Sequence, residues 1–150
     1  MARSRVTNIL VLVDGTESSF HAADYAIELA RMLGARITAM AVVDTDTLRQ
    51  LLNVHILVDS EMAELQSELQ QSARNHLDEV CQRAMSKRVQ VEEVLRSGNS
   101  EVVVPKELAE RGVDLLAMGA FSSARVKHDL LARQRQQILD RTTCPILVVK

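Results

Sequence analysis

The stretch VTNILVLVD, residues 6–14, is a continuous run rich in β-branched residues and leucine that ends in an aspartate. Polar and apolar residues do not alternate along it, so a strand formed by this segment must be covered on both faces. Such strands are typical of the interior of parallel sheets. The segment therefore predicts a central parallel strand.

A helix and a second strand are predicted directly after it. Beyond the DGTE turn, apolar residues recur at helical spacing from Ala22 to Leu33, and Gly34 follows, where a helix C-terminus favours a left-handed residue. This pattern predicts a first helix over about residues 18–33. The run ARITAMAVVD, 35–44, predicts a second strand of the same apolar kind.

Strand and helix patterns continue to alternate to the end of the chain. A less regular segment, 45–60, precedes a long amphipathic helical pattern from Met62 to Ala84. The remaining predicted elements are a third strand at 89–97, a short helix ending near Gly112, a fourth strand at 113–120, a basic helix at about 128–142 and a final strand from Pro145. The crossovers are long enough for parallel pairing, so the predicted class is α/β with helices on both faces.

Pro105 leaves two interpretations of the short helix open. Either the helix kinks at this residue or its regular part begins there, because proline is tolerated in the first turn of a helix.

Length, composition and charge limit the classes of protein to which the chain can belong. The 150 residues predict one domain, 1–150, and 47% apolar residues are enough for a sizeable core. A net charge of -2 does not indicate a nucleic-acid or membrane partner. No signal peptide or membrane span is recognisable, so a cytoplasmic location is expected. The two cysteines and four histidines lack metal-ligand spacing, which favours reduced thiols and structural histidines.

Ligands of open α/β sheets bind at the carboxyl ends of the strands, beside the point where the strand order reverses. The residues there are Asp14, then 42–44, 97–99 and Gly119 onward. Asp14 has two interpretations, as an acceptor for a ligand or as the residue that caps the DGTESS turn. A receiver domain is rejected, because Arg96 and Ser97 stand where its phosphoacceptor aspartate belongs.

Three stretches of the sequence match a known family: NILVLVDGTESSFHAADYAIELARMLGARITAMAVVD, GVDLLAMGA and TTCPILVVK. On these stretches the chain resembles the universal stress protein family from end to end. The resemblance implies a three-layer flavodoxin-like fold with a five-stranded parallel sheet in the order 3-2-1-4-5. It also implies an adenylate site, with adenine near Asp14 and Val42 and with Met118 and Gly119 at the end of the fourth strand.

The phosphate loop of ATP-binding members reads G-x-x-G, nine residues, then G followed by Ser or Thr. Gly119 matches the first glycine, whereas Ser122, Ala132 and Arg133 stand at the other three positions. The added side chains hinder the approach of backbone amides to phosphate oxygens. The hydroxyls of Ser122 and Ser123 and the charges of Arg125, Lys127 and Arg133 offer substitutes. The alternative interpretation of the basic segment 119–141 is a solvated helix face.

Two functional hypotheses follow. The first is a non-catalytic stress-response protein that acts as a dimeric interaction module without ATP, since no Walker-type lysine, metal-binding carboxylate pair or positioned base is recognisable. The second is a switch that binds ATP or another adenylate through a modified phosphate loop. The resemblance implies a homodimer through the last strand, Ile146–Val149, and an unknown protein partner is expected. LLNVHILV, 51–58, is a second candidate contact surface.

Overall fold

Strands and helices alternate along the chain. The computed structural model describes residues 6–46, 49, 53–55, 58–120 and 128–150, with the backbone alone at 128–132. The strands are β1 (Asn8–Leu12), β2 (Arg36–Val43), β3 (Val91–Ser97), β4 (Leu115–Gly119) and β5 (Ile146–Val149). The helices are α1 (Glu17–Leu33), α2 (Asp59–Ser86), α3 (Ser100–Arg111) and α4 (His128–Arg141). Each strand begins and ends within two residues of its predicted bounds.

The five strands form one parallel sheet in the order β3-β2-β1-β4-β5. Side chains of β1 alternate between two cores. Ile9 and Val11 pack with α1 and α2, whereas Leu10 packs with α3 and α4 on the other face, and all three are fully buried. The three-layer α/β architecture and the predicted sheet order are therefore confirmed.

The structure contradicts one of the two interpretations of the short helix, α3. It begins at Ser100, where the Asn99 side chain accepts a hydrogen bond from the Glu101 amide at 3.0 Å, so the regular part does not begin at Pro105. Proline has no N–H to donate to the Glu101 carbonyl. The Arg141 guanidinium donates to that carbonyl at 3.2 Å instead, which satisfies an acceptor that Pro105 leaves open.

The edge strands of the sheet are β3 and β5, as the predicted strand order requires. β3 carries two exposed glutamates, Glu92 and Glu93, at one edge, and Val148 of β5 is 47% exposed at the other. Half of 51–58, namely residues 51, 52, 56 and 57, lies outside the described residues. Within the described ranges, no helix has both the length and the apolar character that a membrane crossing requires.

Asp114 fixes the start of β1. Its carboxylate accepts hydrogen bonds from the Thr7 amide at 3.0 Å, the Thr7 hydroxyl at 3.0 Å and the Asn8 amide at 3.1 Å. Burial alone would raise the pKa of Asp114, but these hydrogen bonds outweigh burial and lower it below its ordinary value. The contact joins β4 to β1 before the two strands begin to pair.

Gly119 ends β4 where the first turn of α1 crosses it. Its φ lies outside the left-handed region, but a Cβ at this position would lie 2.5 Å from the Ser18 hydroxyl oxygen and 2.7 Å from the Ser19 backbone nitrogen. Glycine is therefore required for the close approach of α1 to β4.

We expect Asp114→Asn to lower the free energy of unfolding by about 1 kcal/mol at pH 7. Because the folded-state pKa is lowered, this contribution is complete above the unfolded-state pKa of about 3.9 and is lost as pH falls through the folded-state value. Urea unfolding at neutral and acidic pH should show a difference from wild type that shrinks on acidification. Asp78→Asn, on the exposed face of α2, is the control, and an equal loss there would contradict the assignment.

We expect Gly119→Ala to lower the free energy of unfolding by about 1–3 kcal/mol, because the added methyl group overlaps backbone atoms. Adding Ser18→Ala removes the hydroxyl but leaves the Ser18 carbonyl carbon in place, 2.7 Å from the position that the new Cβ would take. Thermal unfolding should therefore show no rescue in the double variant. Full rescue would mean that the hydroxyl alone makes the contact.

Candidate functional site

The candidate site lies where β1 and β4 separate. These strands pair from Ile9↔Leu115 to Val11↔Ala117, and the same register continued by three residues would set Asp14 opposite Ala120. Beyond Val11, β1 stays with β2, since the Val13 amide donates to the Met40 carbonyl at 2.8 Å. The sheet order reverses between β1 and β4, so the gap is the topological switch point at which ligands of such sheets bind.

We call this gap the strand-end crevice and define it by Asp14, Ser18, Ala120 and Arg135. The first three follow from the backbone: Asp14 lies two residues after β1, Ser18 lies in the first turn of α1, and Ala120 directly follows β4. Arg135 comes from α4, which packs against the opposite face of the sheet from α1. The crevice therefore joins four elements of the fold.

Asp14 has the turn-capping role that the sequence offered as one interpretation. One carboxylate oxygen accepts hydrogen bonds from the backbone amide of Thr16, at 3.0 Å, and from the Thr16 hydroxyl. Thr16 in turn caps α1, because its side chain accepts from the Ser19 amide. The local sequence DGTESS thus couples the end of β1 to the start of the first helix.

The other oxygen of Asp14 pairs with Arg135 at 2.7 Å. Burial alone would raise the pKa of the Asp14 carboxyl, but the Thr16 hydrogen bonds and the charge of Arg135 outweigh burial and lower the pKa below its ordinary value. Asp14 is therefore an ionised carboxylate at neutral pH, with both oxygens engaged in the protein.

Arg135 spans the strand-end crevice. While one terminal nitrogen of its guanidinium bonds Asp14, the other donates to the Ala120 carbonyl at 2.8 Å. The same carbonyl accepts from the Ser18 hydroxyl at 3.2 Å. The Arg135 side chain is only 15% exposed, so this cation is held within the protein and does not extend into water.

A second contact from α4 reaches the end of β2. The Gln134 amide donates to the Asp44 carboxylate at 3.0 Å, and another oxygen of Asp44 accepts from the Asp46 backbone amide at 3.1 Å. Neighbouring residues of α4 thus bond the polar groups that follow β1, β2 and β4. The helix closes over the carboxyl edge of the sheet.

The structure separates the residues predicted for an adenylate site. Asp14 and Gly119 lie at the strand-end crevice, whereas the Met118 side chain is buried in the core beneath α3 and α4. Val42 is partly buried and packs against that same core. Arg133 is exposed on α4, and Ser122 lies outside the described residues.

The interpretation of the basic segment as a solvated helix face holds for Arg133 and is wrong for Arg135. Arg133 and Arg135 lie two residues apart in the same polar helix, and both are long cations of the kind that a solvated helix face carries. Only the packing of α4 against the sheet turns Arg135 inward. The residues at the carboxyl edge of the sheet that sequence reasoning did not assign to a site are two crevice residues, Arg135 and Ser18, together with Gln134 at the end of β2.

The remaining nucleophiles and metal-binding side chains offer no second site among the described residues. No group of three or more His, Cys, Asp or Glu side chains there is arranged to hold a metal ion. Burial raises the pKa of Cys81 to about 12, and it also raises the pKa of Cys144, so both thiols stay protonated at neutral pH. His76 packs against Gly15 and edge-on to the Phe20 ring, 5.9 Å between centroids, in a structural role.

Comparison with known proteins agrees with this architecture. The universal stress protein family model matches residues 5–150. The universal stress protein YxiE of Bacillus subtilis is 26% identical over 147 residues, which cover 95% of this chain and 97% of that protein.

Solved structures share the fold. The universal stress protein UspA of Lactobacillus plantarum superposes with a TM-score of 0.76 at 21% identity, over 99% of this chain and all of that chain. A universal stress protein family protein of Arabidopsis thaliana, solved with AMP bound, gives a TM-score of 0.69 at 14% identity, over 96% of this chain and 91% of that chain. Since the family model spans nearly the whole sequence, the chain belongs to the universal stress protein family.

Proposed function

We propose that this chain is a non-catalytic stress-response protein that acts as a dimeric interaction module and does not require ATP. The observation that carries the proposal is the pairing of Asp14 within the strand-end crevice. The Asp14 carboxylate, which would accept a hydrogen bond from a ligand, is paired with Thr16 and Arg135. A crevice whose acceptor is engaged within the protein is a poor starting point for a nucleotide site.

The sequence of the phosphate loop supports the same proposal. Three of the four signature positions hold Ser122, Ala132 and Arg133 in place of two glycines and a small hydroxyl residue. The remaining glycine, Gly119, has a packing role against α1 that is independent of phosphate. Its presence is therefore no argument for nucleotide binding.

A second candidate function is an adenylate-binding switch. It is favoured by the family member solved with AMP bound and by the position of Asp14 at the switch point. A ligand that entered the crevice would have to displace the Arg135 contacts. That displacement would move α4 and so link occupancy of the site to a change at the surface.

The edge strand β5 supports the dimer. No described strand pairs with its outer side, and Val148 is 47% exposed in an otherwise apolar segment. An uncovered apolar edge is a template for pairing with a second strand.

An exposed aromatic residue lies near the same edge. Tyr25 on α1 is 60% exposed, and it lies one helical turn beyond His21, which contacts the Lys150 carbonyl at 3.3 Å. Two copies related by a two-fold axis would cover both features.

Titration of the nucleotide-stripped protein with ATP and magnesium tests the proposal. Calorimetry should detect no binding tighter than about 100 μM, which corresponds to roughly 5.5 kcal/mol. The triple variant Ser122→Gly, Ala132→Gly and Arg133→Ser should bind ATP more tightly, because it restores backbone access to phosphate. Tight binding by the wild type would make the switch the leading function.

Sedimentation tests the dimer. The wild type should be a dimer at tens of micromolar, and Val148→Lys should shift it toward monomer, because a charge on the edge opposes strand pairing. Val102→Lys is the matched control, since Val102 is 53% exposed on α3 and lies away from β5. A monomeric wild type would remove the dimer from the proposal, and equal dissociation of both variants would remove β5 from it.

A further inference from the structure

We propose that Arg135 closes the strand-end crevice and determines what it can accept, by excluding neutral hydrogen-bonding rings such as a purine from Asp14. The proposal deepens the proposed function and rests on it, because it names the side chain that keeps the crevice without a nucleotide. It is carried by geometry: one guanidinium bonds both sides of the gap between β1 and β4.

The position of the guanidinium makes it an internal occupant of the site. Asp14 and Ala120 each lie three residues beyond the last paired residues of β1 and β4, and a ligand at the switch point would lie between them. Arg135 places its two terminal nitrogens 2.7 Å from Asp14 and 2.8 Å from the Ala120 oxygen. It therefore uses both acceptors that line the entrance to the gap.

The relative strength of the competing bonds favours closure. Asp14 is ionised, so a purine amino group would give it a charge-assisted bond from a neutral donor, whereas Arg135 adds the direct attraction between two opposite charges. A neutral ligand would also separate the arginine from its carboxylate. Because the side chain is only 15% exposed, the guanidinium would then lose a partner where water compensates poorly.

The neighbouring contacts hold Arg135 in this position. Gln134 bonds Asp44 at 3.0 Å, which fixes the same turn of α4 over the end of β2. Ile138, one turn further along α4, is buried in the core beneath the helix. The arginine is thus presented by a packed helix, and its closure of the crevice does not depend on a surface side chain finding one conformation.

Adenosine is the appropriate probe, because it tests the carboxylate end of the crevice without phosphate groups. We expect Arg135→Ala to bind adenosine at least tenfold more tightly than the wild type, measured by NMR titration. Arg141→Ala is the matched control, since Arg141 lies on the same helix and also donates to a backbone carbonyl, that of Glu101. It should leave adenosine binding unchanged, and circular dichroism and thermal unfolding should show that both variants are folded.

Arg135→Lys refines the test. A lysine keeps the charge but has a single compact head, so it cannot bridge Asp14 and Ala120 in the way a planar guanidinium does. Its adenosine affinity should lie between those of the wild type and Arg135→Ala.

In Arg135→Ala the pKa of the Asp14 carboxyl should also rise, because a positive charge that stabilises the ionised form is removed.

Three outcomes would overturn the inference. A folded Arg135→Ala with wild-type adenosine affinity would mean that Arg135 is not what closes the crevice. Weaker adenosine binding in this variant would make Arg135 a ligand contact, and an unchanged pKa of Asp14 would mean that the pair does not form in solution. Tight ATP binding by the wild type would contradict the proposed function alone, because the ratio of adenosine affinities still decides the role of Arg135.

Discussion

The burial of β1 between two layers of helices is the constraint on which the rest of the structure depends. Ile9, Leu10 and Val11 are fully buried, so helices must cover both faces of the sheet beside them. With β1 in the centre, the chain adds β2 and β3 on one side and β4 and β5 on the other. This reversal creates the gap at the end of β1, and the candidate site is thus a consequence of the same packing that stabilises the sheet.

Polar contacts at both ends of β1 keep that arrangement in register. At its start, the Asp114 carboxylate accepts from the Thr7 and Asn8 amides, which ties β4 to β1 before their ladder begins. At its end, Asp14 is held by Thr16 and Arg135, which ties β1 to α1 and α4. Both carboxylates are stabilised in the ionised form, but the first joins neighbouring strands, whereas the second joins a strand end to two helices on opposite faces.

The order of the elements could be predicted because it depends on local patterns. Apolar runs without alternation indicated the strands, and Gly34 marked the end of α1, where it has φ 65. The start of α3 was harder, since Pro105 dominates the local pattern while the Asn99 cap that begins the helix is a weaker signal. Asp14 and Gly119 were placed at the site from strand ends and family resemblance. Arg135 was not, because its role depends on the side of α4 that faces the sheet and on a partner 121 residues away in the chain.

The changes in the phosphate-loop sequence and the pairing of Arg135 are independent of each other, because they concern different groups of a nucleotide. The replaced glycines bear on the approach of backbone amides to phosphate, which is a steric and conformational effect. Arg135 acts on the Asp14 carboxylate, and this effect is electrostatic and is strengthened by the low exposure of the Arg135 side chain. In a chain that lacked only the glycines, the carboxylate would remain able to accept a hydrogen bond from a nucleoside. In this chain the carboxylate is paired as well, by a contact that also ties α4 to the ends of β1 and β4, so the same arginine joins the helix to the sheet and occupies the acceptors of the crevice.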